Sequence, residues 1–208
     1  METLPTGISV LDREFGGGLP SGSVVVLKAD PASQSELILD RFSRVRSCRY
    51  LTTVRPAAAV TDALTLDPTE TDRIEVRDAV DEGTLDAVLT TASDVPEHGT
   101  VIIDSIEPLE ANDRAAYRDF LNDLRRAVKD VDAVVLVHAL KDGTRDPTNR
   151  VVTEQIADIV FDLRTTVTGA EIVNRLIVPK FRGGAALAEP LKLKLTDNVT
   201  IDTSRDIA

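Results

Sequence analysis

The chain has 208 residues, 35 acidic against 24 basic, with a net charge of −11, enough length for one domain with a sizeable core. A single cysteine, Cys48, excludes an internal disulfide and fits a reducing cytosol; with no run of about 18 apolar residues and no basic-then-apolar leader, a cytoplasmic protein without membrane contact is expected. The acidic balance argues against a nucleic-acid partner, because phosphates are bound by Lys and Arg replacing counterions.

Strands and helices alternate, which predicts an α/β fold with a mostly parallel sheet and crossover helices. Strands are expected near 23–28, 49–53, 72–76, 99–104 and 132–138, and helices near 33–46, 57–65, 81–92 and 113–129. In the last helix Tyr117, Phe120, Leu121, Leu124 and Val128 share one stripe that should pack on the sheet. From about residue 158 the pattern becomes antiparallel, with Ile159 to Leu163, a turn at Thr168-Gly169, then Ile172 to Val178. Segments 66–71 and 139–152 are polar and read as loops. A single domain over 1–202 with a frayed tail at 203–208 is expected. No repeat, zinc module or helix-turn-helix module is evident.

The stretch Ala29-Asp30-Pro31-Ala32-Ser33-Gln34-Ser35-Glu36 follows the apolar run Val24-Val25-Val26-Leu27 and precedes a helical pattern. Strand, eight-residue loop and helix are the setting of the phosphate-binding loop G-x-x-x-x-G-K-[ST]. Here Ala29 and Gln34 stand for the glycines, Ser35 for the lysine and Glu36 for the hydroxyl that would hold Mg²⁺. Such a loop needs glycines to turn backbone N–H groups toward phosphates, and a cation to offset their charge. Losing two charge-assisted contacts of about 1.5–3 kcal/mol each lowers affinity by roughly 10² to 10⁴. Lys28, on the strand before the loop, is the nearest cation and a weak candidate for a displaced phosphate lysine. Ser33-Gln34-Ser35-Glu36 also spells a capping box, in which the Ser33 hydroxyl and the Glu36 carboxylate would satisfy the helix start.

The flanks resemble a known group. Thr6-Gly7-Ile8-Ser9-Val10-Leu11-Asp12, then Phe15-Gly16-Gly17-Gly18-Leu19-Pro20-Ser21-Gly22, closely resembles the leading segment of RecA-like ATPases of the KaiC, RadA and GvpD group. Thr100-Val101-Ile102-Ile103-Asp104-Ser105 looks like their Walker B strand, Val178-Pro179-Lys180-Phe181-Arg182-Gly183 like their late K-x-R-G hairpin, and Leu193 to Ile201 like their closing hairpin. The resemblance spans nearly the whole chain. It implies a three-layer RecA-like P-loop NTPase fold, mostly parallel, with C-terminal antiparallel hairpins. It also implies a catalytic Glu-Glu pair after the second strand, where this chain has Val54 and Arg55, neither able to accept a proton from water. Asp104 and Ser105 stay as a Walker B remnant. Lys180 and Arg182 match the hairpin charges that reach a neighbouring subunit's phosphates in KaiC-like rings, so they could act in trans; the plain alternative is exposed charges beside a turn.

Other features have bland readings. Arg41, Arg44, Arg46 and Arg49 cluster at the end of the first helix, where they suit the helix dipole or an acidic partner. His138 reads as a strand-end histidine at a sensor-like position, and His98 as a loop residue. No Cys/His cluster suggests a metal, and no Ser/His/Asp constellation is arguable from spacing. The bias to Asp and Arg with 3% aromatics resembles proteins of salt-accumulating halophiles. The expected function is therefore a non-catalytic RecA/KaiC-like pseudo-ATPase, a protein-interaction or regulatory subunit with no cofactor. Its partner would be itself or a RecA/KaiC-like paralogue. The rivals are a divergent ATPase using ATP and Mg, and a RecA-family recombination or DNA-repair accessory protein.

Overall fold

The computed structural model describes residues 2–79, 85–141, 147–169 and 171–202. The expected tail at 203–208, the start of the helix placed at 81–92 and part of the loop at 139–152 lie outside them. In chain order the elements are β1 (Thr3–Leu4), α1 (Ser9–Glu14), β2 (Leu19–Pro20), β3 (Val24–Ala29), α2 (Glu36–Arg44), β4 (Cys48–Thr52) and α3 (Ala57–Leu64). They continue with α4 (Pro68–Thr71), β5 (Ile74–Asp78), α5 (Leu85–Ser93), β6 (Thr100–Asp104), α6 (Glu107–Glu110), α7 (Arg114–Asp130) and β7 (Val134–Leu140). The last are α8 (Arg150–Ile156), β8 (Ile159–Thr168), β9 (Glu171–Phe181), β10 (Leu191–Leu195) and β11 (Val199–Ile201).

Nine strands form one sheet in the order β11-β10-β9-β8-β3-β7-β6-β4-β5. Neighbours from β8 through β5 pair parallel, whereas β8, β9, β10 and β11 pair antiparallel. This is the α/β fold expected from the alternation of the chain and its antiparallel end.

The period-two alternation of β3 sorts the core. Val24 and Val26 face a layer built on α5 and α7, with Val101, Ile103, Val135 and Val137. Val25, Leu27 and Ala29 face the other layer, with Ile38, Leu39 and Phe42 of α2 and Ile102, Leu136 and Tyr50. The stripe of α7 is buried as expected, because its 3.6-residue period matches the sheet face it covers.

The glycines of the leading segment have a structural role. Gly18 has φ +131°, and a Cβ there would run into the carbonyl of Leu4 across the small β1–β2 sheet. Phe15 stacks on Phe161 and Phe181, tying this segment to the hairpin strands.

Three local expectations are corrected. The predicted capping box at Ser33–Glu36 does not form. Ser35 is the residue before α2, in helical geometry without a side-chain cap, and the Ser33 hydroxyl donates to the Asp30 carbonyl at 2.6 Å. A capping box forms instead at Asp67–Glu70, inside the segment read as a loop, where Pro68 opens α4. The polar stretch 139–152 holds the end of β7 and the start of α8. Polarity there marks a buried ion pair rather than solvent: Arg150 donates to Glu110 at 2.9 Å, with the two side chains 2% and 0% exposed. Among the described residues, no helix is long and apolar enough to cross a membrane.

Candidate functional site

The loop leaving β3 makes a compact turn. The N–H of Ser33 bonds the carbonyl of Asp30 at 2.9 Å, and no described residue from 29 to 36 has a positive φ. Helix α2 then starts over the sheet face that carries Tyr50, Ile102 and Leu136.

Sheet register places the acid on that same face. Asp104 and His138 are Cα partners on adjacent parallel strands, and Tyr50 lies two residues before Thr52, the partner of Asp104 on β4. Their side chains therefore converge. The Tyr50 hydroxyl donates to Asp104 Oδ2 at 2.8 Å, Arg55 Nη2 donates to the same oxygen at 2.9 Å, and His138 Nδ1 lies 2.7 Å from Oδ1. Burial alone would raise the Asp104 pKa, but the donors His138, Arg55 and Tyr50 outweigh it and hold it at about 2. Burial and the adjacent Asp104 push the Tyr50 phenol well above its ordinary value, so it remains a donor. An imidazole whose Nδ1–H donates to the ionised Asp104 carboxylate has Nε2 as its remaining acceptor when neutral. The Ser35 hydroxyl sits 3.1 Å from that Nε2. The spacing of the chain did not announce this set, because Ser35 and His138 are 103 positions apart and His138 and Asp104 are 34 apart.

Arg55 joins the two acidic positions. It contacts Glu36 at 3.1 Å and Asp104 at 2.9 Å, so one guanidinium bridges the loop acid and the strand acid. A cavity of about 140 Å³ remains, lined among others by Ser35, Glu36, Arg55, Asp104, Ser105 and His138. A wider cleft of about 540 Å³ shares Glu36 and Arg55 with it and is lined by Arg41, Arg44 and Glu70. The Ser105 backbone is held by Thr53, whose hydroxyl accepts from Ser105 N at 2.9 Å and donates to Ser105 O at 2.6 Å. Its own hydroxyl is buried and has no partner among the described residues.

The remaining candidates lie elsewhere. Lys28 points to the opposite sheet face, where its ammonium pairs with Glu154 at 2.7 Å, so it is not at the loop. Lys180 donates to the carbonyls of Glu154 and Gln155 at 2.6 and 3.0 Å. Arg182 donates to the Gln155 carbonyl at 2.9 Å, so both charges cap the C-terminal end of α8 in their own chain. The arginine cluster is a set of staples: Arg44 binds Asp40 and Glu70, Arg46 binds Thr100 and the Pro5 carbonyl, and Arg49 pairs with Glu75. Ala29 ends β3, the Asp30 carbonyl accepts both Ser33 bonds of the turn, and the Gln34 carbonyl accepts from Leu37 N at 3.2 Å as α2 begins. No group of three or more His, Cys, Asp or Glu side chains among the described residues could hold a metal ion.

A crystal structure of a KaiC-like protein from the hyperthermophilic archaeon Pyrococcus horikoshii OT3 is similar to this chain, with a TM-score of 0.78 at 15% identity. The match covers 97% of this chain and 99% of that one, so the fold is RecA-like, of the KaiC-like type. No curated protein matches the chain. A family of unknown function, DUF7125, matches residues 3–208, and the chain belongs to that family.

Proposed function

We propose that this chain is a RecA/KaiC-like pseudo-ATPase, a protein-interaction or regulatory subunit that neither binds Mg-ATP tightly nor hydrolyses it. The observation that carries the reading is the Arg55 bridge between Glu36 and Asp104, at 3.1 and 2.9 Å. Among the described residues lining the site, the one arginine or lysine is Arg55, and it is committed to two carboxylates in the place where phosphate and Mg²⁺ would have to sit. The cavity on the Asp104 side of the bridge is about 140 Å³, below the roughly 300–1,000 Å³ of ordinary ligand pockets, and the wider cleft of about 540 Å³ lies on the side of Arg41, Arg44 and Glu70. The turn at 30–35 supports the same reading, because no residue in it is a glycine or has a positive φ, and no cation replaces the lysine of a phosphate-binding loop.

A protein partner is supported by apolar side chains left on the surface. Val167 and Ile172 are paired across the β8–β9 hairpin and are 73% and 69% exposed. The partner is a second copy or a KaiC-like paralogue. If Lys180 and Arg182 act on a neighbour's phosphates, they must first leave the α8 carbonyls. The acidic surface suits a cytoplasm rich in salt, where its self-repulsion is screened.

Calorimetric titration of Mg-ATP into the full chain in molar KCl tests the proposal. No heat of binding is expected, and a stable complex should be recovered in a high-salt pull-down. Clear binding of Mg-ATP would overturn the reading.

A further inference from the structure

We propose that Ser35, His138 and Asp104 form a nucleophile, base and orienting acid that hydrolyse a small ester in the cavity they line. This goes beyond the pseudo-ATPase reading and does not depend on it, since it needs no phosphate chemistry. The geometry is that of an activated serine: Oγ to Nε2 at 3.1 Å, and Nδ1 to the carboxylate at 2.7 Å. The carboxylate is itself fixed by Tyr50 and Arg55, so the imidazole is held in one tautomer and one orientation.

Two independent features supply a place for the oxygen of a reacting carbonyl. Ser35 immediately precedes the nine-residue helix α2, and the N–H groups of Ser35 and Glu36 have no acceptor among the described residues. The residue Ser105, 3% exposed, lines the same cavity, and its buried hydroxyl has no partner among the described residues. A buried hydroxyl with nothing to bond is an unsatisfied group that a ligand oxygen would satisfy. The cavity volume of about 140 Å³ equals roughly four to five water-sized groups of about 30 Å³ each, which suits an acetyl or similarly short acyl group. Val54 and Leu140 add apolar lining for its methyl end.

The step balances as follows. Ser35 Oγ bonds to the carbonyl carbon while its proton passes to His138 Nε2. The bond from carbon to the leaving oxygen then breaks, and the alcohol departs with that proton, leaving an acyl-serine. Water gives a proton to Nε2 and attacks the acyl carbon. Ser35 leaves, takes the proton back, and a carboxylic acid is released.

The test treats the full chain with a fluorophosphonate probe and, separately, with p-nitrophenyl acetate. One adduct per chain on Ser35 is expected by mass spectrometry, with none on Ser35→Ala. His138→Asn should slow both reactions by at least about 100-fold. The proposal is overturned if the folded wild type reacts no faster than Ser35→Ala. A second variant covers the case in which Ser35→Ala does not fold. In Ser35→Cys the new thiol should be alkylated by iodoacetamide at least about tenfold faster than in Ser35→Cys/His138→Asn. The native Cys48 is fully buried and its thiol is pushed up to about 12, so it stays silent in this assay. Equal alkylation rates in the two variants would equally overturn the assignment.

Discussion

Asp104 and His138 stand side by side on β6 and β7, and a 2.7 Å hydrogen bond joins the carboxylate to the imidazole Nδ1. Both side chains are nearly buried, at 6% and 2% exposure. The contact follows from strand register: two residues paired in a parallel sheet point to the same face, and here Asp104 ends β6 while His138 lies two residues before the end of β7. Arg55 and Tyr50 complete the shell around the same carboxylate.

The depressed pKa of Asp104 gives a signed prediction. Folding lowers it from 3.8 to about 2, so its contribution is fully present above about pH 4 and is lost as the pH falls through 2. The size is about 2 kcal/mol, at about 1.4 kcal/mol per unit. In urea titrations from pH 6 to pH 2, Asp104→Asn should be less stable than wild type at the upper end, with the gap closing toward pH 2. A gap that stays constant across that range would refute the linkage.

Arg55→Ala removes the bridge to Glu36 and one of three donors to Asp104. Leaving a buried carboxylate with fewer donors costs about 1–3 kcal/mol. Because Arg55 is itself 37% exposed, the lower half of that range is expected. Denaturant midpoints of the variant and wild type measure it. The same variant should gain no tight affinity for Mg-ATP, since Glu36 remains.

On the proposed pseudo-ATPase reading, supplying the side chains of a phosphate-binding loop should not by itself create nucleotide binding. The double variant Ser35→Lys/Glu36→Thr introduces a cation and a hydroxyl but keeps Ala29 and Gln34, where a phosphate-binding loop has glycines. Calorimetry should still show no tight Mg-ATP binding. Micromolar binding by this double variant would mean that loop shape is not what closes the site.

The ion pair between Arg150 and Glu110 gives a stability prediction away from the site. Glu110→Ala strands a guanidinium that is 2% exposed, which also reaches Glu107 at 2.8 Å and the Leu140 carbonyl at 3.1 Å. Breaking a buried pair by removing one partner costs about 3–5 kcal/mol. The remaining contacts to Glu107 and Leu140 put the expected loss near the lower end. Thermal melts of the variant should show the change, and an unaltered melt would show that the pair is dispensable.

Much of the scaffold was legible because burial writes a period into the chain. The stripe Tyr117, Phe120, Leu121, Leu124 and Val128 is apolar every three or four residues and is buried at each position. The runs at Val24–Leu27 and Val101–Ile103 are apolar throughout because both sheet faces are covered. The helix α8 was not legible, because its first residue is a charged side chain buried against an acid 40 positions away. Ser33–Glu36 carries a capping pattern, yet the turn at Asp30 claims the Ser33 hydroxyl and Arg55 draws the Glu36 carboxylate. Local pattern cannot weigh a partner that arrives from another strand.

The sequence by itself determined the alternation of strands and helices, the antiparallel end of the chain, and which residue types stand between β3 and α2. These depend on the residue and its near neighbours: side-chain period, φ, charge and hydroxyl content. Only the tertiary structure decided that Arg55 would bridge Glu36 and Asp104, that Lys180 and Arg182 would cap α8, and that Ser35 would meet His138 beside Asp104. Those meetings depend on the order and register in which strands far apart in the chain lie next to one another, because only that order fixes which side chains share a face at the sheet edge.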